Sequence, residues 1–335
     1  MNTSRGFISL GPILFLVIGL AVLGGAGWWA TRSTGSPQQP QPPPTATPTS
    51  PVTSSEPPTH GDFGAPELVT IQGYTGTTQD PWITSDEKYL LFDTHADTPG
   101  ATGGPGENRY AKKIDYKTFA YVGTIQGLAA GDSTGQGVSV PTTDTAGNIY
   151  FLTNRYYASQ GISIARGTFT DGVVTNIAPA VGISFKGGFN MSASPSRDGT
   201  YMVFSDNGKA STLAIAKKNA DGTFTRLANS ADIMKNIADQ FSVAYAPSLS
   251  NDNLELFFTA PPEKTILPQR ASFSTIYVAR RDSPTEPFSI ADPVKTQNTG
   301  EEKTLTEGPN LSLDGKHLYY HSIENGGIIY VLSRE

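Results

Sequence analysis

Cysteine is absent from this 335-residue sequence and histidine occurs only four times, so much familiar site chemistry is excluded at the outset. Without cysteine the chain has no disulfide, no thiol nucleophile and no lipid-modified cysteine anchor. Lysine and arginine total 24 against 30 acidic residues and form no basic run, which argues against a nucleic-acid partner. We also expect no metal and no cofactor, because no set of side chains with metal-ligand spacing is complete.

Long apolar runs are also scarce, and the exception lies at the start of the chain. Residues 7–30 carry no charge, and 24 residues at about 1.5 Å rise cover roughly 36 Å, more than a bilayer's hydrocarbon core. Trp28 and Trp29 close the run, where indoles favour the membrane interface. We expect an uncleaved anchor within residues 1–31, with a cleaved signal peptide as the alternative. The start also resembles type IV pilin-like proteins after Gly6, although Gly11 replaces that family's acidic residue.

The next segment, residues 32–63, is rich in proline, serine and threonine. Such sequence is stiff and extended, so it predicts a linker that separates the anchor from residues 64–335. The expected location is therefore the cell membrane, with one span at residues 7–30 and the remaining domain outside the cytoplasm. If the signal were cleaved, the domain would be secreted.

A twelve-residue pattern recurs through residues 64–335: a proline or small residue, two residues, a hydroxyl residue, one residue, aspartate, a turn residue and a short strand. The five copies cover residues 81–92, 140–151, 193–204, 247–258 and 309–320. The turn positions are occupied by Asp86, Asp198, Gly199, Asp252, Asp314 and Gly315. Aspartate followed by glycine or asparagine favours a tight hairpin, so we assign these residues a structural role in turns. The second copy has Thr145 where the others have aspartate.

Each copy continues with two apolar residues spaced two apart, which point to one face of a strand. We expect that face to be core, and its members are Leu90, Phe92, Ile149, Phe151, Met202, Phe204, Leu256, Phe258, Leu318 and Tyr320. Further strand patterns follow in each copy, including outer strands near residues 119–125, 173–177, 223–227 and 288–290. Spacings of 53–62 residues suit four-stranded blades.

The last copy lacks a fourth strand because the chain stops at Glu335, whereas residues 67–71 form an unassigned strand before the first copy. Joining the two ends would remove exposed sheet edges. We therefore expect an all-β, five-bladed β-propeller, with six blades as the alternative, in which residues 67–71 pair with residues 328–332. A helical pattern at residues 231–241 predicts a short helix before the fourth copy.

The copy at residues 309–320 reads Pro-x-x-Ser-x-Asp-Gly-Lys-x-Leu-x-Tyr and resembles the WD40-like repeat of TolB-type β-propellers. Residues 275–294 resemble the longer bacterial variety of that repeat. The resemblance covers residues 66–335 and implies the fold. It implies no particular ligand, because five copies differ from the six blades of TolB itself.

A second resemblance carries an enzymatic alternative. Asp80-Pro81 is similar to the base motif of five-bladed glycosidases that act on arabinan- and xylan-like polysaccharides, and Glu307-Gly308-Pro309 is similar to their general-acid motif. This implies Asp80 as base and Glu307 as acid, two carboxyl groups as glycoside hydrolysis requires. The third acidic residue, expected before the proline of a middle blade, is missing from this sequence.

Loop residues offer candidate ligand contacts, because propellers bind ligands where loops converge at the channel mouth. Asp93, His95 and Asp97 lie close together after the first copy, and Tyr156 and Tyr157 follow the second. These side chains could contact a ligand, while the aromatic rings could instead pack between blades. The leading hypothesis is a binding scaffold for a protein, a peptide or an envelope glycan, not an enzyme.

Overall fold

The computed structural model describes residues 60–94, 108–128, 138–153, 155–156, 159, 163–184, 190, 192–206, 212–261, 274–296, 305–323 and 327–335. Within these residues the strands form five sheets, and each sheet is one blade of a ring. The all-β, five-bladed propeller expected from the repeats is therefore confirmed. Both the proposed anchor and most of the proposed linker lie outside the described residues. Among the residues that are described, no helix has the length and apolar character needed to span a bilayer.

Strands are numbered along the chain, and in every blade the first strand of the repeat is innermost. Blade 1 contains β2 (Thr70–Gln72), β3 (Gln79–Ile83), β4 (Tyr89–Asp93), β5 (Asn108–Lys113) and β6 (Thr118–Thr124). Blade 2 contains β7 (Val138–Thr143), β8 (Asn148–Thr153), β9 (Ser163–Thr170) and β10 (Val173–Pro179). Blade 3 contains β11 (Ala193–Pro195), β12 (Tyr201–Asp206), β13 (Thr212–Lys218) and β14 (Phe224–Arg226).

The remaining two blades complete the ring. Blade 4 contains β15 (Tyr245–Leu249), β16 (Glu255–Ala260), β17 (Thr275–Arg280) and β18 (Asp292–Pro293). Blade 5 contains β19 (Thr306–Leu311), β20 (His317–Ser322), β21 (Ile328–Ser333) and the N-terminal β1 (Glu67–Leu68). The innermost strands contact one another in the order β3, β7, β11, β15, β19 and back to β3, so they enclose a central channel.

The second strand of each repeat supplies the core on both of its faces. All ten predicted core residues are buried. Leu256 and Phe258 pack toward blade 3, while Phe257 between them packs toward blade 5. The same alternation holds in every blade and produces one hydrophobic cluster at each blade interface. The sequence pattern identified only one of these two buried faces.

The ends of the chain meet in blade 5, as predicted, but over a shorter span. Glu67 pairs with Val331 and Leu68 with Tyr330, in antiparallel register. The next strand, β2, leaves blade 5 and pairs in parallel with β6 of blade 1. The expectation that residues 70 and 71 also belong to the closing strand is therefore wrong. By crossing the seam, the N-terminal segment covers the outer edge of blade 1 as well as that of blade 5.

The repeat aspartates lie in the hairpin turns between the first and second strands. Ser250 Oγ donates to Asp252 Oδ1 (2.6 Å), and the same carboxylate oxygen accepts the N–H of Leu254 at 3.0 Å. Equivalent hydroxyl–carboxylate pairs occur at Asp86, Asp198 and Asp314. The residue after each aspartate has positive φ, namely Glu87 (60°), Gly199 (71°), Asn253 (63°) and Gly315 (75°). That conformation explains the preference for glycine and asparagine.

Blade 2 forms a different turn, which accounts for its missing aspartate. There the carboxylate is Asp144, which accepts the N–H groups of Ala146 and Asn148, and Gly147 takes the positive φ of 77°. Thr143 pairs with Ile149, whereas in blade 1 Ile83 pairs with Leu90, so the turn in blade 2 is one residue shorter. The sequence alignment of this copy was therefore displaced by one residue in its first strand.

Blade 4 departs from the predicted outer strand. The strand β18 lies at residues 292–293, not at residues 288–290. Phe288 is fully buried in the cluster between blades 3 and 4, and its N–H donates to the carbonyl of Ile233 rather than to a neighbouring strand. Ile233 ends the first of two short helices, α1 (Ser230–Ile233) and α2 (Lys235–Gln240), where one helix was predicted. Phe288 therefore packs in the core and does not belong to the outer strand.

Candidate functional site at the channel mouth

Four innermost strands contain a bulge at the residue that precedes proline. Asp80, Val140, Ala246 and Gly308 have φ values of 46°, 54°, 47° and 66°, and the strand register shifts at each of them. Positive φ is unfavourable for residues other than glycine, and such strain is concentrated at functional sites. Because proline has no N–H, the ladder is already interrupted there. The bulge turns the N–H of the preceding residue away from its own blade.

Each freed N–H is donated to a side chain of the preceding blade, so the bulges link the ring together. In two blades the acceptor is a hydroxyl: Ala246 N–H donates to Ser192 Oγ (2.7 Å) and Gly308 N–H to Thr259 Oγ1 (3.3 Å). In the other two the acceptor titrates. Asp80 N–H donates to His321 Nδ1 at 3.0 Å, and Val140 N–H donates to the Asp93 carboxylate.

The two ends of the channel differ in chemistry. We call the end where the innermost strands begin the mouth, and the opposite end, with the hairpin turns, the turn face. Near the turn face the buried Arg197 of blade 3 donates to the carbonyls of Ile83 in blade 1 and Leu311 in blade 5. Burial lowers the pKa of this guanidinium, which lies over the Trp82 ring at 5.3 Å. Arg197 therefore closes the channel at that end.

The mouth, by contrast, is acidic and partly open to solvent. The side chains of Asp80 and Glu307 are 20% and 21% exposed, and His321 between them is fully buried. The Nδ1 atom of His321 lies 3.8 Å from Asp80 Oδ1, and its Nε2 lies 3.3 Å from Glu307 Oε1. The two carboxyl groups singled out by sequence are therefore brought together, on opposite sides of one imidazole in adjacent blades.

The hydrogen bonds around His321 define its tautomer. Because Asp80 N–H donates to Nδ1, that atom carries a lone pair, and the proton of the neutral ring is on Nε2, facing Glu307. Burial by itself would lower the pKa of His321, but the contact with Glu307 and the charges of Asp80 and Glu307 raise it. Added protonation at Nδ1 would break the bond from Asp80 N–H. The geometry therefore corresponds to the neutral imidazole.

Tyr245 of blade 4 extends this network to a third blade. Its hydroxyl donates to Glu307 Oε2 at 2.7 Å, so Glu307 is contacted by a phenol at one oxygen and an imidazole at the other. Burial, together with the negative charge of Glu307, raises the pKa of Tyr245, which keeps the phenol protonated as a donor. Glu307 thus links blade 4 to blade 5 through the Tyr245 hydroxyl.

Asp93 joins the site from the end of β4, although it was predicted only as a loop residue. It is buried and pairs in register with Gln79, the residue before Asp80, so its carboxyl group neighbours that of Asp80. Burial and the neighbouring carboxylates raise the pKa of Asp80 well above its ordinary value, and burial raises that of Asp93. A third acidic residue is thus present at the mouth, supplied by blade 1 instead of a middle blade.

Tyr156, the other predicted ligand residue that the structure describes, does not join this cluster. Tyr156 packs against the hydrophobic cluster between blades 1 and 2, while His95, Asp97 and Tyr157 lie outside the described residues. In the described ranges, no group of three or more histidine, aspartate or glutamate side chains has the arrangement of a metal site.

The titrating acceptors were detectable in the sequence, although the prediction overlooked them. Asp93, Thr259 and His321 each follow the aromatic residue that ends the repeat pattern in their copy. In strand register this position lies opposite the start of the innermost strand, where the bulge occurs. The recurrence of hydrogen-bond acceptors at this one position of the repeat could therefore have predicted the contacts.

No protein-family model matches this sequence, and no curated protein matches it. Among solved structures, an exo-β-1,3-galactanase from Phanerochaete chrysosporium with bound β-1,3-galactotriose is 15% identical, with a TM-score of 0.51 over 80% of this chain and 63% of that one. A β-1,3-galactosidase described as GH43 is 10% identical, with a TM-score of 0.51 over 79% and 93%. TolB from Acinetobacter baumannii is 13% identical, with a TM-score of 0.42 over 78% and 55%. At these identities the similarity to the galactan enzymes shows the fold alone: a β-propeller.

Proposed function

We propose that the domain is a glycan-binding propeller whose mouth presents rigid oxygen acceptors to sugar hydroxyl groups. The observation that carries this proposal is that each partly exposed acidic residue at the mouth is held across a blade seam. The Glu307 carboxylate accepts the hydroxyl of Tyr245 in blade 4, and the N–H of Asp80 donates to His321 in blade 5. Acceptors fixed in this way lose little side-chain entropy when a hydroxyl group binds.

Binding is favoured over hydrolysis by the same contacts. A glycosidase needs an acid and a base that reach opposite sides of a glycosidic bond. Here Asp80 and Glu307 lie on opposite sides of a buried imidazole, and both are engaged by protein groups. Both residues therefore form contacts between blades, and about one-fifth of each side chain is exposed.

Hydrolysis is the second candidate, because the pKa of one of the two carboxyl groups is raised. Burial and the neighbouring carboxylates raise the pKa of Asp80, which favours its protonated form, while Glu307 accepts a hydrogen bond from Tyr245. In this alternative Asp80 would be the acid and Glu307 the base, the reverse of the roles implied by the motif resemblance. The galactan enzymes of the same fold make β-1,3-galactan the first substrate to test.

Calorimetric titration with β-1,3-galactotriose and with arabinan and xylan oligosaccharides tests the binding proposal. We expect the wild type to bind at least one of them, and Glu307→Gln to weaken binding at least tenfold. Glu286→Gln is the matched control, because Glu286 is exposed at the end of a turn away from the mouth and should leave affinity unchanged.

Release of reducing sugar from the same polysaccharides separates the two candidates. We expect none from the wild type or from the Asp80→Asn, Glu307→Gln double variant. Hydrolysis by the wild type that the double variant lacks would reject binding as the main function. Failure of every oligosaccharide to bind would reject the glycan proposal.

The tether is part of the proposal, since residues 7–30 have the length and composition of a membrane anchor. The described chain begins at the turn face: His60 Nε2 lies 2.7 Å from Asp252 Oδ2, and Gly64 N–H donates to the Ser333 carbonyl. A linker leaving from there would orient the mouth away from the membrane. We expect the protein to resist carbonate extraction, and external protease to release a fragment of nearly the whole propeller. Recovery of the full chain as a soluble species would contradict the anchor and favour secretion.

A further inference from the structure

A polar cleft lies at the opposite end of the ring from the mouth, on the face of blade 2 that packs against blade 3. Its volume is about 220 Å³, and it is lined by Asn148, Arg166, Gly167, Thr168 and Asn176. Asn148 begins β8 directly after the hairpin turn of blade 2 and pairs with Thr168 of β9. The cleft therefore belongs to the turn face and is separate from the acidic mouth.

The strand register brings the polar side chains of this cleft to one face. Arg166 and Thr168 follow Ile164 at intervals of two residues, and Ile164 packs in the hydrophobic cluster between blades 2 and 3. Asn176 reaches the same cleft through a bulge, because the register of β10 with β9 shifts there and Asn176 has a φ of 54°. Positive φ in a residue other than glycine is strained, and such strain is concentrated at binding and catalytic sites.

Arg166 is fixed in place but its charge is not balanced by a carboxylate. Its Nη1 atom donates to the carbonyl of Gly222 in blade 3 at 3.0 Å, and a Cβ on Gly222 would lie 2.0 Å from that nitrogen. Within the part of the chain that the structure describes, Arg166 forms no ion pair. Asp221, beside Gly222, instead accepts the N–H and the hydroxyl of Thr223 at 2.9 and 2.7 Å. The other guanidinium donors are therefore available to an anion.

The remaining side chains offer both donors and acceptors. Asn148 Nδ2 donates to both carboxylate oxygens of Asp144, at 2.9 and 2.7 Å. Because a carboxylate only accepts, this contact fixes the amide nitrogen on Asp144 and leaves the Asn148 carbonyl oxygen as an acceptor. Lys218 also lies on Asp144, at 3.5 Å, so its charge is balanced there. Asn176 Nδ2 lies 3.4 Å from the Thr168 hydroxyl, and these two groups complete the polar lining.

We propose that this cleft binds a uronic acid, with the carboxylate on Arg166 and the ring hydroxyls on Asn148, Thr168 and Asn176. Pockets for drug-sized ligands have roughly 300–1,000 Å³, and a water molecule takes about 30 Å³ of the liquid, so the cleft suits a single sugar ring. A simple oxyanion such as phosphate or acetate would bind Arg166 but would give the Asn148 carbonyl no donor. A sugar acid supplies both an anion and hydroxyl donors.

Calorimetric titration of the full-length protein with D-galacturonate and D-glucuronate tests the cleft. D-galactose and D-glucose carry a hydroxymethyl group in place of the carboxylate, while acetate and inorganic phosphate have no sugar ring. We expect at least one sugar acid to bind at least about tenfold more tightly than its neutral counterpart and than either simple anion. Equal affinity for the neutral sugar or for a simple anion would overturn the proposal, as would no binding of either acid.

Substitutions in the cleft provide the second test. Arg166→Gln should weaken sugar-acid binding at least about tenfold, whereas Lys217→Gln removes the same charge from an exposed side chain of blade 3 outside the cleft and should not. Asn176→Gly retains a residue that tolerates positive φ and should weaken binding about two- to fivefold; it decides the matter if the melting temperature shows that Arg166→Gln is unfolded. An equal loss in Lys217→Gln, or undiminished binding in both cleft variants, would contradict the assignment.

Glu307→Gln separates this cleft from the mouth. Because the two sites share no residue, the substitution should leave the affinity for sugar acids unchanged while it weakens binding at the mouth. If sugar acids bind and β-1,3-galactotriose does not, the cleft proposal stands without the mouth, and the reverse result rejects the cleft alone. A loss of sugar-acid binding in Glu307→Gln would assign that ligand to the mouth and overturn the inference.

Discussion

The bulges of the innermost strands allow a pair of opposite substitutions at equivalent positions. Gly308 in blade 5 and Ala246 in blade 4 both precede proline and have φ values of 66° and 47°. Blade 4 accommodates a methyl group in this conformation and blade 5 does not have one. Gly308→Ala and Ala246→Gly therefore exchange the two residues in nearly the same backbone geometry.

The expected effects differ because the surroundings differ. A Cβ on Gly308 would lie 3.0 Å from Asp80 Oδ1 and 3.1 Å from His321 Nδ1, so these two side chains would have to shift by a few tenths of an ångström. Positive φ costs alanine about 1–2 kcal/mol, and overpacking adds about 1–3 kcal/mol. Alanine also lowers the entropy of the unfolded chain, which offsets about 0.4–1 kcal/mol of this destabilisation. We expect Gly308→Ala to lose about 2–3 kcal/mol.

In Ala246→Gly the terms nearly cancel. Relief of positive φ is opposed by the greater entropy of glycine in the unfolded chain and by loss of one buried methyl, so the change should stay within about 1 kcal/mol of zero. At about 2–4 °C per kcal/mol for a domain of this size, Gly308→Ala should melt roughly 4–12 °C lower, measured by circular dichroism. Equal melting temperatures for the two variants would refute the argument that Asp80 and His321 occupy the space beside Gly308.

Three further predictions concern the ring as a whole. Removing residues 1–59 should leave the melting temperature unchanged, whereas removing residues 1–72 should lower it sharply by deleting β1 and β2; equal effects would reject strand closure. Gly315→Val should destabilise the domain by about 1–3 kcal/mol in urea unfolding, since a β-branched residue is strained at φ 75°, while Asn253→Gly at φ 63° should not destabilise it. Phe258→Ala should cost about 3–5 kcal/mol by the same assay, because the ring is fully buried between blades 3 and 4, and a loss below 1 kcal/mol would contradict that packing.

The repeat columns were predictable because they depend on short-range rules. Leu256 and Phe258 alternate with the period of a strand, and Asp252 and Asn253 form a turn within six residues. The closing strand was also predictable, since a strand missing at one end matched a spare strand at the other. What failed locally was decided by packing: Phe288 left its expected strand because its ring fills a cluster built from helix and sheet.

The site was harder to predict because its contacts cross the whole sequence. Asp80 and His321 are 241 residues apart, and nothing near Asp80 indicates that its N–H is free or that an imidazole accepts it. Asp80 and Glu307 were singled out by their motifs, but those motifs did not reveal Asp93 as the partner. The positive φ of the residue before the proline could not be read from the sequence, because it depends on the register shift between the two strands.

At four seams of the ring the N–H of a bulge residue donates to a side chain of the neighbouring blade, but only two of these acceptors can titrate. At the seams before blades 4 and 5, the bulge N–H binds Ser192 or Thr259, and these hydroxyl bonds are insensitive to pH. At the seam between blades 5 and 1 the same acceptor position carries His321, and at the seam between blades 1 and 2 it carries Asp93. These two acceptors can titrate, so the seams on either side of blade 1 can respond to pH while the hydroxyl bonds at the other two seams hold the ring together.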